Sequence, residues 1–389
     1  MIKLKVAIVH NTIAPYRHPL FEELSKTVDL LVYQCSVKEA TRKWDLWPRN
    51  YNYRFKVLPR IPVKTSVGDS NLNPTIMKEI VKNRPHVVII SGYTDPTTWL
   101  AFVTCKILKI PIIYWTEGIR EPRSIMGILS RPIRRLFTTK SNAVIVPGRL
   151  SKEYIIRLGA TKEKIFIAPN TIDNKLFVET AKKYSEFKNQ LKTSIGFNNK
   201  IVIFSVGQLI ERKGFRYLLE AYSWVEKEHN NVALLICGSG PIKNSLIELA
   251  DRLKIQNLKI IESGMSLEKL IKLYSIADIF VLPTLEDVWG FVINEAIACG
   301  LPVISTSASQ AAIEMIDNGK NGYIVKERDS RQLYNALKKL IVAPDMRILM
   351  GFKSRETVVN DFDVSKTVSG FMSAIEYCLK GKRKQNVKS

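Results

Sequence analysis

The chain has 389 residues, about two and a half times a typical domain, so two core-forming domains are expected and a single small binding module is excluded. Hydrophobic residues at 46% and charged residues at 24%, with 19 Gly and 17 Pro, exclude a disordered chain. The net charge of +23 calls for an anionic partner such as phosphorylated metabolites, nucleic acid or an acidic membrane surface, and residues 1–170 carry +16 of it.

The five cysteines, Cys35, Cys105, Cys237, Cys299 and Cys378, never form a Cys-x-x-Cys pair. This argues against a disulfide framework or zinc site and for a reducing, cytoplasmic setting. The apolar run near the start is too short for a signal-peptide core, and Lys106, Lys109 and Pro111 interrupt the stretch 99–115, so no transmembrane helix is expected.

In chain order, residues 5–9 read as a buried parallel strand, and 19–26 have helical spacing in Leu20, Phe21 and Leu24. Apolar runs recur at 30–32, 87–90, 112–114 and 143–146, separated by helix-length segments such as 73–82 and 97–108. A polar stretch at 181–199 ends this series, placing a domain boundary near 175–195. A second series follows at 201–206, 233–237, 259–261, 279–282 and 302–305, with helices expected at 215–228, 242–254, 266–275 and 292–299. Strands joined through helices are parallel, so two doubly wound α/β domains are predicted, each with the carboxyl ends of its strands at a crevice.

Residues 281–303 carry the most specific pattern: strand, loop, helix, glycine stop, strand. A helix starting near Phe291 leaves the amides of Gly290, Phe291 and Val292 at its positive end, which suits an anion. Asp287 just before the helix and Glu295 one turn inside it add two carboxylates suited to ribose and sugar hydroxyls. A second segment, 204–215, ends a strand at Gly207 and leads through Lys213-Gly214 into a helix, placing a lysine where a diphosphate needs neutralising.

Gly-Gln-Leu-x-x-x-Lys-Gly at 207–214, Asp287-x7-Glu295 and Ala-Pro-Asn-Thr-Ile-Asp at 168–173 together resemble the hallmarks of retaining, nucleotide-sugar-dependent glycosyltransferases of the group 1 type, glycosyltransferase family 4. The likeness spans most of residues 140–330 and is weaker in the first half, where Pro15-Tyr16-Arg17 leads into a helix. It implies the GT-B fold: two Rossmann-like domains facing across a cleft, 1–180 for the acceptor and 181–365 for the nucleotide sugar. Residues 366–389 are then a helix packing back toward the first domain, with a basic tail.

The resemblance assigns Lys213 to the donor diphosphate, Glu295 to the ribose, and Asp287 or Glu286 to the transferred sugar. Gly207, Gln208, Arg212 and Gly238 join the donor site. Three positions depart from the family pattern: Gln208 replaces the usual Arg, for which Arg212 can substitute; Asp287 replaces a Glu; and 170–173 lacks its usual glycine. On the acceptor side, His10, Tyr16, Asp95 and Glu117 stand at or near strand ends, and Glu117 falls where the family places a catalytic or positioning group.

The histidines have no metal spacing, and Asp361-Phe362-Asp363 reads as a turn before the last helix, so neither metal nor cofactor is expected. The expected activity is sugar transfer from a nucleotide diphosphate sugar to an acceptor hydroxyl, Lys213, Asp287 and Glu117 being the catalytic candidates. Cations and large apolar groups at 131–140 and at 38–60, with Trp44 and Trp47, suggest a lipid-linked or surface-glycan acceptor at an anionic bilayer, reached by a cytoplasmic protein peripheral to the membrane. An epimerase or phosphorylase on the same scaffold, and a non-enzymatic binder of an anionic partner, are the alternatives. A nicotinamide enzyme is disfavoured because no Gly-x-Gly-x-x-Gly follows the first strand, and a nucleic-acid binder because no such motif is present.

Overall fold

In a computed structural model, which describes residues 3–36, 52–65, 68–119 and 125–386, the chain divides into two compact units. One comprises Met1–Thr171 with Val364–Ser389, the other Ile172–Asp363.

The first unit is built on a seven-stranded parallel sheet ordered β3-β2-β1-β6-β7-β8-β9. Its strands are β1 (Lys5–His10), β2 (Asp29–Gln34), β3 (Arg54–Val57), β6 (Val87–Ser91), β7 (Ile112–Trp115), β8 (Ala143–Val146) and β9 (Ile165–Ile167), while β4 (Ile61–Thr65) and β5 (Gly68–Leu72) form a separate antiparallel hairpin. The helices are α1 (His18–Thr27), α2 (Thr75–Asn83), α3 (Pro96–Ile107), α4 (Ile125–Leu129), α5 (Arg131–Lys140) and α6 (Arg149–Arg157).

Successive strand residues point to opposite faces, and both faces are covered, which is why the strands read as unbroken apolar runs. Ala7, Val9, Val88, Ile90 and Tyr114 pack beneath α2, α3, α5 and α6 through Ile80, Phe102, Phe137 and Ile155. Val6, Ile8, Ile89, Ile113 and Trp115 pack on the other side against Phe21 and Leu24 of α1 and against Phe371, Ala374 and Ile375 of the C-terminal helix, Val364–Asn386. That helix comes so close to β9 that a side chain at Gly370 would collide with the Ile167 carbonyl, and Thr367 donates to the Pro169 carbonyl at 2.7 Å.

The second unit repeats the plan with six parallel strands ordered β12-β11-β10-β13-β14-β15. They are β10 (Ile201–Val206), β11 (Val232–Cys237), β12 (Leu258–Ile261), β13 (Ile279–Leu282), β14 (Val303–Thr306) and β15 (Gly322–Val325). Its helices are α7 (Asn174–Ser185), α8 (Lys188–Ser194), α9 (Phe215–Glu228), α10 (Lys243–Arg252), α11 (Leu267–Ile276), α12 (Phe291–Ala298), α13 (Gln310–Met315), α14 (Ser330–Val342) and α15 (Pro344–Asp361).

The expected pair of doubly wound, Rossmann-like domains is therefore observed. Strand order reverses between β1 and β6 in the first sheet and between β10 and β13 in the second, the positions where ligands collect at strand carboxyl ends.

Candidate functional site

In the second unit the chain leaves β10 at Gly207 and makes a short 3-10 turn, Glu211–Lys213, before α9. Gly214 joins the two at φ +68°, and any side chain there would collide with the Pro283 carbonyl at the end of β13. The turn is thereby laid against the loop after β13: Leu285 donates its amide to the Arg212 carbonyl at 2.8 Å, and Arg212 Nη1 donates to the Glu286 carbonyl at 2.5 Å. The Lys213 stem passes over Gly207, and its ammonium forms an ion pair with Asp287 Oδ2.

Asp287 is fixed in turn, its amide donating to the Ala308 carbonyl at 3.0 Å. Gly290 caps α12 at φ +99°, with the space at its Cα bounded by Ser309 Oγ and the Asp287 carboxyl carbon. First-turn amides of a helix have no carbonyl one turn back to pair with, so cation, carboxylate and a positive helix end meet within one loop cluster. Such a cluster can grip a pyrophosphate and accept hydrogen bonds from sugar hydroxyls.

Glu295, one turn into α12, accepts a hydrogen bond from the Tyr274 hydroxyl at 2.7 Å. Removal from water pushes its carboxyl up to about 7, the Tyr274 hydrogen bond working against that rise. Burial, with Glu295 adding to it, pushes the Cys237 thiol up to about 11. Gly238, next to Cys237, presses on the Gly207 carbonyl, which links the β11 exit to the lysine turn.

In the first unit a cavity of about 280 Å³ opens at the carboxyl ends of β1, β6 and β7. His10, Tyr16, Arg17, Tyr93, Trp115 and Glu117 are among its lining residues. His10 stands edge-on to Trp115, ring centres 5.5 Å apart. Burial, with the Arg17 charge nearby, brings its imidazole down to about 3, so it is neutral at physiological pH. Arg17 is itself buried, 4.6 Å from the Trp115 ring centre and in an ion pair with Glu117.

The residues singled out from the sequence thus fall into two groups. Gly207, Arg212, Lys213, Gly238, Glu286, Asp287 and Gly290 come together in the second unit, with Phe291, Val292 and Glu295 on the helix that starts there. Gln208 occupies the same turn, its carbonyl accepting the Ile210 amide at 2.9 Å. His10, Tyr16 and Glu117 line the first unit's cavity, whereas Asp95 is buried elsewhere, accepting from the Ser70 hydroxyl of the β4–β5 hairpin. Arg212 Nη1 donates to a backbone carbonyl, holding two loops together.

The sequence patterns do not single out Tyr274 or Asn170 as site residues, and Arg17 enters them only in the lead-in to a helix. Tyr274 looks like one more core aromatic of α11, but Asn170 lies inside the 168–173 motif, a usable signal. Trp44 and Trp47 lie outside the described residues. Among the described residues no group of three His, Cys, Asp or Glu side chains is placed to hold a metal ion, and no helix is long and apolar enough to cross a membrane.

Residues 187–357 match the family described as Glycosyl transferases group 1, and residues 20–176 match Glycosyltransferase Family 4. The chain is 26% identical over 319 residues to the capsular polysaccharide biosynthesis glycosyltransferase CapM of Staphylococcus aureus, covering 80% of this chain and 82% of that one. It is 23% identical to a GDP-mannose-dependent phosphatidylinositol monomannoside mannosyltransferase of Mycolicibacterium smegmatis, covering 90% and 91%. A glycosyltransferase from Rickettsia africae superposes with a TM-score of 0.77 at 17% identity over 97% of this chain and 99% of that one. Anabaena HepE, solved in complex with UDP-glucose, superposes with a TM-score of 0.72 at 17% identity over 97% and 100%. Both sequence halves and the backbone lead to one conclusion: the chain is a glycosyltransferase of the GT-B fold, related to the group 1 and family 4 glycosyltransferases.

Proposed function

We propose that this enzyme transfers a sugar from a nucleotide diphosphate sugar to an acceptor hydroxyl, with retention of anomeric configuration. The bond from the anomeric carbon to the diphosphate oxygen breaks with its electron pair staying on the diphosphate, a bond to the acceptor oxygen forms on the same face of the ring, and the hydroxyl proton passes to the Glu117 carboxylate. Lys213 and the α12 N-terminus stabilise the leaving diphosphate as charge moves onto it, an interaction stronger in the transition state than in the ground state. Asp287 and Glu295 accept hydrogen bonds from sugar and ribose hydroxyls, and the cavity of the first unit takes the acceptor.

The observation that carries this reading is the meeting of the Lys213 ammonium with Asp287 beside Gly290, over the glycine turn after β10. A relative whose name specifies GDP-mannose, and a neighbour crystallised with UDP-glucose, support a nucleotide-sugar donor. A thermal-shift panel of UDP-glucose, GDP-mannose and the free nucleotides tests it. A ligand at 100 times its Kd stabilises by about 2.7 kcal/mol, and Lys213→Ala should remove most of that. Equal stabilisation of Lys213→Ala and the unaltered enzyme would overturn the assignment.

The acceptor side is proposed to work at an anionic bilayer on a lipid-linked glycan. Outer residues of α2, α3, α4 and α5 expose Met77, Val81, Val103, Ile107, Ile128 and Leu129, with Ile107 72% and Leu129 64% exposed. Lys78, Lys82, Lys106, Lys109, Arg131 and Arg135 are exposed among them, and neither 96–116 nor 122–152 contains an acidic residue. Exposed apolar groups set among cations, with Glu79 on α2 paired to Lys56, match an anionic lipid surface.

A further inference from the structure

A carboxylate has two oxygens, and how a protein divides its donors between them decides what is left for a substrate. Glu117, just past β7, has an uneven division. Its Oε1 takes the Arg17 Nη2 ion pair and a hydrogen bond from Asn170 Nδ2 at 3.1 Å. Arg17 Nη1 also donates to Asn170 Oδ1 at 2.8 Å, so the three side chains close a ring. Oε2 accepts nothing from any described residue, and Glu117 lines the 280 Å³ cavity.

The ring is assembled from three distant segments: the 3-10 turn Pro15–Arg17 after β1, the exit of β7 and the exit of β9. Its supports are rigid. Arg17 and Asn170 are 6% and 1% exposed, and the guanidinium lies 4.6 Å from the Trp115 ring centre. Glu117 keeps 27% of its side chain accessible, so of the three side chains the carboxylate is the one most open to the cavity, while its anchors are nearly covered. Two donors on one oxygen, from a buried fork and a buried amide, restrict the carboxylate to one orientation.

We infer that Arg17 and Asn170 are positioning residues that present Glu117 Oε2 to the hydroxyl of the incoming acceptor. This rests on the proposed use of the cavity for the acceptor. Oε2 receives the hydrogen of that hydroxyl in a hydrogen bond, orienting the oxygen lone pair toward the anomeric carbon. The Asn of the 168–173 motif then has a role in aligning the acceptor, quite apart from the donor machinery near the other motifs. An arginine is specified over lysine because both the carboxylate and the amide must be reached from one planar group.

The test separates orientation from charge and from folding. Circular dichroism and thermal melting first establish that Arg17→Met, Arg17→Lys and Asn170→Ala fold as the unaltered enzyme does. Nucleotide diphosphate release is then followed with the sugar donor that stabilises the enzyme most, in the presence of octyl glucoside and octyl mannoside.

Transfer should fall at least tenfold in Arg17→Met, Arg17→Lys and Asn170→Ala, with donor-induced stabilisation unchanged. The loss should appear in kcat and in the acceptor KM and leave the donor KM unchanged. A wild-type transfer rate in Arg17→Lys and Asn170→Ala, or a loss confined to the donor KM, would overturn the inference. Absence of any nucleotide-induced stabilisation in the unaltered enzyme would instead sink the donor reading, and the affinity for octyl glucoside and octyl mannoside, expected to fall in Arg17→Lys and Asn170→Ala, would still decide the question of the ring.

Discussion

The Lys213 ammonium is paired with the Asp287 carboxylate, 74 residues away in sequence, where α12 begins. The lysine therefore has a partner in its own chain, and on the proposed reading a diphosphate must compete with Asp287 for it. Lys213→Ala should lower turnover by about 10²–10³-fold, the range for removing one donor to a developing negative charge. Asp287→Asn should bind free nucleoside diphosphate more tightly, its competitor gone, while transferring sugar more slowly. Thermal shift with UDP and GDP, together with diphosphate-release rates, checks both.

If Glu295 holds the ribose as proposed, its carboxyl should give nucleotide binding a pH dependence. Burial raises it to about 7, so it is largely protonated at pH 6 and ionised at pH 8. An ionised carboxylate accepts from ribose hydroxyls with both oxygens, and nucleotide-induced stabilisation should therefore grow between pH 6 and pH 8. For the protein alone the sign is opposite. A carboxyl whose folded pKa lies above its unfolded value contributes stability that is present below about 4.5 and is lost as pH rises through 7. Glu295→Gln should flatten both trends, and Tyr274→Phe, by removing the opposing hydrogen bond, should shift them to higher pH.

Gly214 tests whether the lysine turn must lie against the end of β13. Alanine there meets the Pro283 carbonyl and must also adopt φ +68°. The backbone strain alone costs about 1–3 kcal/mol. The steric conflict adds to it, so Gly214→Ala should melt several degrees lower and lose nucleotide binding even where it folds. Wild-type melting with wild-type nucleotide affinity would show that the turn tolerates a different path.

The basic apolar face of α2, α3, α4 and α5 should hold the enzyme on phosphatidylglycerol vesicles but not on phosphatidylcholine vesicles, each cation near the surface contributing about 1 kcal/mol. Binding should weaken as salt rises. Arg131→Glu with Arg135→Glu should reduce it at low salt, and Ile107→Ser with Leu129→Ser at all salt concentrations. Sedimentation with vesicles of each composition measures all of these.

Much of this architecture was legible because buried parallel strands announce themselves. The runs at 201–206 and 279–282 coincide with β10 and β13, and 215–228 coincides with α9. Other elements carry no such signal. β3 has all four residues exposed at a sheet edge, and β15 opens on a glycine chosen by the close approach of the Val303 backbone. That the residues after β10 and β13 lie together could be read because they are contiguous in two short motifs. Asp95 could not be placed correctly, since its hydroxyl partner Ser70 lies on a hairpin that the apolar pattern does not reveal. The ring of Arg17, Glu117 and Asn170 escaped notice for the same reason: three strand exits meet only after the sheet has formed.

The C-terminal helix Val364–Asn386 belongs to the unit that the chain began with, and Phe371, Ala374 and Ile375 cover one side of that unit's sheet. Residues 172–363, being continuous, can complete their own core as they leave the ribosome. The opening strands, made earliest, must hold Ile8, Ile89 and Trp115 partly uncovered until some two hundred further residues have been synthesised. Birth order and burial order are thus reversed, and the earlier-made half is the one whose sheet is closed last.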